Sequence, residues 1–535
     1  MSNTGITALL IDTVSIQQYI FSSNKLKENI GASYIIENLV YRKVLMDVLI
    51  KQFSGGFSGD WEKSTAFVME KDASCKCEIG YIGGGNALIL FREESTENWE
   101  DLVVTAFIRK YTMELLCRFP GLRTSFGKID NFDWRGSGFS ESRERLNKDL
   151  VRNKSLQFRN VTVTKHGIVS DCALSNEAQE TDFRAIKNIS FTSKVKLEAS
   201  LLSQTVLNRK YAGQLGERYV FTEQLEHLGQ PGDKGYIAVV HIDGNNIGQR
   251  FADCSDLAEL RALSTALWEL ADSTMTKLIA DIVNLFEEGL LKKENGFELA
   301  KYEPDENATN EEKSWKGRLQ LPIRPLITAG DDFTFVCEGR LGVHLAEKLA
   351  ELIGNGKVGG KPVSVCCGIA ITKTKYPFYR AYKLAGELTD RAKQESRAEE
   401  GSSWLSFLVS SGGYSGTLEE IIDRQFTTPS GNILTMGSYR LGSQTGSMGH
   451  LKEAMKALIL GETAWPRNKL MELRDALGKD EAYQNYFLAE AEARGLKLPK
   501  YAGNFSKEPL WYDHNKTPYY DIIELLNFYP KELLP

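Results

Sequence analysis

Two stretches decide how this chain reads: YIAVVHIDGNNIG (residues 236–248) and RPLITAGDDFTFV (residues 324–336). Each is an apolar run that ends in carboxylates. The first is rich in Ile and Val and reads as a buried strand that stops at Asp243. The second reads as a strand, a tight turn at Gly330, Asp331 and Asp332, and a new strand at once. If these strands are neighbours, three carboxylates meet at one sheet edge. Mg²⁺ takes hard oxygen ligands of this kind, and two divalent cations acting on a nucleoside triphosphate need such a set. Gly330 permits the tight turn and lets backbone approach a phosphate. Gly244 and Gly248 do the same after Asp243, at the entry to a helix whose N-terminus favours anions. The competing explanation is a solvated Asp-Asp turn. Asp243, one helix upstream, favours the metal site.

The flanking pattern supplies a fold. Apolar residues at helical spacing predict helices over 257–286, 341–353 (stopped by Gly354 and Gly356) and 379–393 (entered after Pro377). Strands are expected over 323–329, 333–337 and 363–372. The order is βαββαβ plus a helix, a ferredoxin-like arrangement in which the first strand and the hairpin are adjacent. Residues 287–320, rich in Glu, Lys and Asn, read as an exposed insertion.

The chain also repeats itself. LLIDTVSI (9–16) parallels VHIDGNNI (240–247), and YIGGGNALIL (81–90) parallels ITAGDDFTFV (327–336). The first copy keeps a strand-end acid, Asp12, but Gly85 and Asn86 stand where the second has Asp331 and Asp332. Lacking those carboxylates, copy one is not expected to hold two metals. Its hairpin of Gly83, Gly84, Gly85 and Asn86 remains a candidate nucleotide contact. The fold class expected is therefore α+β: two ferredoxin-like palm domains of the nucleotide-cyclase or polymerase type, plus helical regions.

These residues resemble a family. IQQYIF (16–21), KLKE (25–28) and GAS (31–33) look like the opening of the large polymerase/cyclase-like subunit of type III CRISPR effector complexes. Gly83 to Asn86 resembles the hairpin of that family's first palm. DGNNIG (243–248) and AGDD (329–332) resemble its second palm, whose signature is GGDD. Pro377-Phe378-Tyr379, AGEL (385–388) and Ala392-Lys393 look like the following helix. The likeness runs in order from about Thr7 to Lys393. It implies two palms packed together, ATP as substrate, Mg²⁺ or Mn²⁺ in a two-metal site, and 3′–5′ joining into cyclic oligoadenylate second messengers in antiviral defence. By that carry-over, Asp243, Asp331 and Asp332 hold metal. Lys393 faces the triphosphate, and Gly244, Asn246, Gly248 and Gly330 lie close to the nucleotide.

Some positions depart from the family pattern. Ala329 replaces the first Gly of the signature, and Asn245 stands where an acid is common. The palm-like signature starts within the first dozen residues, so an HD nuclease domain is not expected. Cys172-Ala-Leu-Ser175 looks like the remnant of a zinc motif, and Cys75 and Cys77 alone do not complete a tetrahedral site; no zinc is expected.

Composition narrows the class. The 535 residues carry a formal charge of −6, which argues against gripping nucleic acid by bulk electrostatics. The basic and aromatic stretch 123–159 is the local exception, either an RNA contact or a solvated connector. Eight cysteines without a disulfide-like framework fit a reducing cytoplasm. No signal peptide or membrane-spanning run is read. The expected organisation is a first palm over 1–125, a mixed or helical connector over 126–230, a second and catalytic palm over 231–405, and a C-terminal helical domain over 406–535. Residues 229–235 and 410–417 are the breaks. Partners implied by the resemblance are guide or target RNA and small helical CRISPR subunits; a homodimer partner is the alternative for the C-terminal helices. Three other functions stay open: a catalytically silent scaffold, a diguanylate-cyclase-like enzyme using GTP, and a stand-alone synthase.

Overall fold

The first half of the chain builds one sheet from strands that are apolar on both faces. β1 (Ile6–Thr13) leads into α1 (Leu26–Tyr34), which runs on through a π-helical segment, Ile35–Leu45, and Met46–Gln52. Then come β2 (Cys77–Gly83), β3 (Asn86–Arg92), α2 (Ala106–Arg118) and β4 (Thr124–Ile129). The sheet order is β2-β3-β1-β4, with the short strand Phe57–Ser58 outside β2. β1 is central and antiparallel to both β3 and β4. The computed structural model describes residues 5–94, 99–156, 167, 169–175, 177–228, 235–410, 416–460, 464–499, 501, 505–507, 509–512 and 515–535. Most of the expected linker 229–235, the core of the break at 410–417, residues 157–159 of the basic stretch and Asn176 lie outside the described residues.

α3 (Phe139–Leu156) lies on the first sheet beside Gly127, where a Cβ would come within 2.7 Å of the Leu146 carbonyl oxygen. α4 (Phe191–Lys210) crosses α1 equally tightly at Gly31, whose added Cβ would meet the Lys196 carbonyl. The first sheet thus crosses the expected boundary at 125, because β4 is the edge strand that closes the βαββαβ order. β5 (Tyr219–Phe221) follows α4.

The second half repeats the topology. β6 (Tyr236–Gly244), the long α5 (Leu257–Glu287), β7 (Leu319–Leu321), β8 (Ile323–Ala329) and β9 (Asp332–Glu338) are followed by α6 (Gly342–Gly354), β10 (Val365–Lys373) and α7 (Phe378–Ala398). β8-β9-β6-β10 is the same order as β2-β3-β1-β4. The fold is the expected α+β pair of palms, with elements within a few residues of the ranges read from periodicity. The sheet continues past residue 405. β11 (Trp404–Ser410) adds parallel to β10, and β12 (Tyr439–Arg440) closes the edge. The C-terminal helices α8 (Met448–Ile459), α9 (Arg467–Leu477), α10 (Glu481–Ala493) and α11 (Pro518–Leu525) follow.

The insertion 287–320 is mostly exposed, in keeping with its polar composition, but it is anchored. Phe297, Glu312 and Trp315 are buried. Arg184 from the connector pairs with Glu312 at 3.1 Å, and β7 pairs with β5. A few apolar anchors and one shielded ion pair hold an otherwise polar stretch down.

Arg261 on α5 locks the two palms together. Only 1% exposed, it donates to the carbonyls of Gly80 (2.9 Å), Ile79 (2.6 Å) and Ser64 (3.0 Å) and stacks over Phe67. Among the described residues, no helix is long and apolar enough to cross a membrane.

Candidate active site

Strand register brings the carboxylates together. β6 and β9 are antiparallel neighbours, and Asp243 stands directly opposite Asp332. Asp331 sits in the turn between β8 and β9, after Gly330 at φ 65°, a conformation glycine enters freely. The Asp331 carbonyl accepts the Gly244 N–H at 3.1 Å, which ties the turn to the end of β6. A Cβ on Gly244 would lie 2.8 Å from the Asp331 Cβ, so the glycine is what allows that approach.

Lys393 is delivered by matched periodicities. Thr389 Oγ1 donates to the His241 carbonyl at 3.1 Å. Two residues further along a strand and four along a helix return to the same faces. Asp243 and Lys393 therefore meet next, and Lys393 Nζ bonds Asp243 Oδ2. α7 comes this close because residue 368 is glycine; a Cβ there would be 2.0 Å from the Ala385 carbonyl oxygen.

Burial, with the Asp243 charge second, pushes the Asp331 carboxyl up to about 6 and the Asp332 carboxyl up to about 7. Asp332 Oδ1 is buried without a hydrogen-bond partner. His241 Nδ1 lies 3.4 Å from it but bonds Thr334 Oγ1 at 3.1 Å, and burial lowers the imidazole pKa. An orphaned acceptor among three carboxylates fits a cation ligand. The donor set, carboxylate oxygen alone, fits Mg²⁺ or Mn²⁺. Among the described residues, no group of three or more His, Cys, Asp or Glu side chains is placed to hold a metal ion as it stands. The Lys393 ammonium, bonded to Asp243, supplies counter-charge to the acids.

The site opens into a cavity of about 630 Å³ between the palms, within the usual range for ligand pockets. Asp243, Gly330, Asp331 and Asp332 line it from the second palm, and Gly83, Gly84, Gly85 and Asn86 from the first. Trp268, Leu267, Ile36 and Tyr81 give it apolar and aromatic walls. Gly244, Asn246, Gly248 and Lys393 are not on its wall. Gly244 is packed under the turn, and Lys393 reaches the site through Asp243. Asn246 and Gly248 are exposed, at the start of the short helix Ile247–Ala252. Asn245 points its amide at Ser364 Oγ, Ser396 Oγ and the Ser402 carbonyl, and so braces the ends of α7 and β11.

The first palm carries a matching pair that sequence reasoning missed. Asp12 stands opposite Asn86 in register, as Asp243 stands opposite Asp332. Lys154 from α3 bonds Asp12 at 2.5 Å, as Lys393 bonds Asp243. Extending the repeat to the helix after the fourth strand would have found it. Arg261, and Glu37 on the cavity wall, gave no such signal: one reads as an ordinary helix charge, and the other lies in a π-helical stretch where 3.6-residue periodicity misplaces faces.

Residues 236–400 match the family model for Cas10/Cmr2, second palm domain. Over the whole chain the fold is similar to that of Csm1 in T. onnurineus, at 14% identity over 99% of this chain and 70% of that one, with a TM-score of 0.55. It is also similar to the Csm1-Csm4 cassette in complex with pppApA (13% identity, 98% of this chain and 69% of that one, TM-score 0.51). The cassette in complex with AMPPNP gives 14% identity, 98% and 70% coverage, and a TM-score of 0.50. At such identities the likeness is one of fold. No curated protein matches the chain.

Proposed function

From the match of residues 236–400 to the Cas10/Cmr2 second palm domain model, we propose that this chain is a metal-dependent nucleotidyltransferase joining ATP into cyclic oligoadenylate, as the polymerase-type subunit of a type III CRISPR effector. The observation that carries this is the convergence of Asp243, Asp331 and Asp332 on a nucleotide-sized cavity shared by two palms. The adenine ligands named for the solved Csm1-Csm4 cassettes support ATP, and the Csm4 of those cassettes supports a small protein partner. A cytoplasmic location goes with this role.

Asp243, Asp331 and Asp332 would hold two Mg²⁺ or Mn²⁺, whose chemistry is to acidify a ribose 3′-hydroxyl and neutralise the departing pyrophosphate. The residues of the chain do the rest. Gly330 and Gly244 let backbone close on phosphate without a side chain in the way. Lys393 leaves Asp243 for the triphosphate as the acids take up positive charge. The glycine hairpin of the first palm holds the second nucleotide, so attack on the α-phosphate runs across the interface. No side-chain base is assigned.

The test is incubation of the full chain with each labelled nucleoside triphosphate and Mg²⁺ or Mn²⁺, beside an Asp331→Ala/Asp332→Ala variant. Oligonucleotide product from ATP that disappears in the variant is the expected result. Product from GTP alone refutes the adenylate assignment, and undiminished product in the variant refutes the site.

A further inference from the structure

One carboxylate on the cavity wall lacks a counter-charge. Glu37 lies on the π-helical continuation of α1 and lines the cavity. Ser33, one turn before it, donates its hydroxyl to the Leu326 carbonyl on β8. Tyr41, one turn after it, donates to the Gly85 carbonyl of the glycine hairpin. Glu37 therefore stands where the first helix touches both palms. Its side chain faces open cavity space, and among the described residues it makes no hydrogen bond or ion pair. The two cations that act on it at a distance are committed elsewhere, Arg42 to Glu62 at 2.6 Å and Lys210 to Asp272 at 2.6 Å. Enclosure pushes its carboxyl above the ordinary range.

Glu37 is exposed to the cavity and has no protein partner there, so its carboxylate is free to meet a ligand, and ionisable groups on pocket walls concentrate at functional sites. Its missing partner is an N–H donor carried by the ligand. In a nucleotide the phosphates belong with the acid trio, which leaves the base for Glu37. Trp268, 47% exposed on the cavity rim, offers the flat surface on which a base stacks.

We propose that Glu37 reads the amino-bearing edge of the purine of a nucleotide held between the palms; this rests on the nucleotide-binding reading above. Adenine presents its N6 amino group, and guanine presents N1–H beside its N2 amino group. An acceptor that gives up cavity water to meet such a donor disfavours an analogue that lacks it.

The test is equilibrium dialysis of the full chain with Mg²⁺ and ATP, purine riboside triphosphate (ATP without its amino group), GTP or ITP (GTP without its amino group). Wild type is compared with Glu37→Ala and Glu37→Gln, each checked by melting temperature. Wild type is expected to prefer ATP over purine riboside triphosphate by about tenfold or more, the scale of one net hydrogen bond. Glu37→Ala should bind the two alike. Glu37→Gln, whose amide keeps an acceptor, should restore the preference. The same pattern confined to GTP over ITP, with no rescue by Gln, keeps Glu37 as the reader and makes guanine the base. A preference that survives Glu37→Ala overturns the inference and leaves nucleotide binding standing. No nucleotide binding by wild type overturns the nucleotide reading itself, and this inference with it.

Discussion

Replacing Asp332 by Asn should make the protein more stable in EDTA and inactive at the same time. The native Asp332 carboxyl lies near 7 against an ordinary 3.8. Each pH unit is about 1.36 kcal/mol, so the full penalty for ionising it in the fold is about 4 kcal/mol. Its side chain keeps 33% of its surface open to the cavity, and water there screens part of the cost. Roughly half, about 2 kcal/mol, is the expected gain from a neutral isostere. The sign follows from proton counting. With its pKa raised, native Asp332 holds a proton that the unfolded chain has lost between about pH 4 and 7, so wild-type stability falls as pH rises through that window. The gain should be complete at pH 8, about two-fifths as large at pH 5 and near zero only below about pH 3.5. Thermal melting in EDTA should show the variant about 2 °C above wild type at pH 8 and under about 1 °C above it at pH 5. Adding Mg²⁺ should raise wild type more than the variant. An equal shift at both pH values, or none at pH 8, would falsify the electrostatic account of the acid cluster.

Proton competition should also govern metal uptake: with Asp331 near 6 and Asp332 near 7, apparent Mg²⁺ affinity should fall steadily as pH drops from 8 to 5. Titration calorimetry at several pH values checks it, and a flat profile refutes it. Arg261→Met should cost about 3–5 kcal/mol, because four carbonyls and Glu78 lose their buried partner; chemical denaturation gives the figure, and loosened palms should be cut sooner by trypsin. Gly368→Ala puts a methyl against the Ala385 carbonyl and should displace α7 at a cost of about 1–3 kcal/mol, weakening nucleotide binding through Lys393. Lys393→Met, in turn, should raise the KM for ATP about tenfold with little change in melting temperature, a split that steady-state kinetics and a thermal scan resolve together.

Much of the fold was legible because its strands are short apolar runs ended by glycine and acid. Val239, Val240 and Ile242 are fully buried, and their pattern alone identified β6. The pairing of Asp243 with Asp332 followed from element order, since βαββαβ leaves the first and third strands as neighbours. Less legible was anything that depends on side chains far apart in sequence. The polarity of residues 287–320 hid the anchors Phe297 and Trp315, and the helical reading of the last domain hid the sheet strands β11 and β12. Asn245 read as a lost acid, whereas its amide bridges Ser396 on α7 and the segments entering β10 and β11 at Ser364 and Ser402. Lys154 shows its role once the repeat is followed into α3, whereas Glu37 gains meaning only where the two halves face each other across the cavity.

The Asp12–Lys154 pair gives the molecule a direction. In the second palm, the ion pair of Asp243 and Lys393 would, on the proposed function, act as a latch that incoming positive charge opens. In the first palm, Gly85 and Asn86 bring no acids to compete for Asp12, so the same latch stays shut. Two equally armed edges would let either bound nucleotide attack the other, and growth would run both ways from one cavity. On the proposed function, one armed edge and one blunt edge would make the nucleotide on the blunt side the acceptor and the one on the armed side the donor. Polarity of synthesis would then follow from a duplication in which one hairpin alone carries the paired acids.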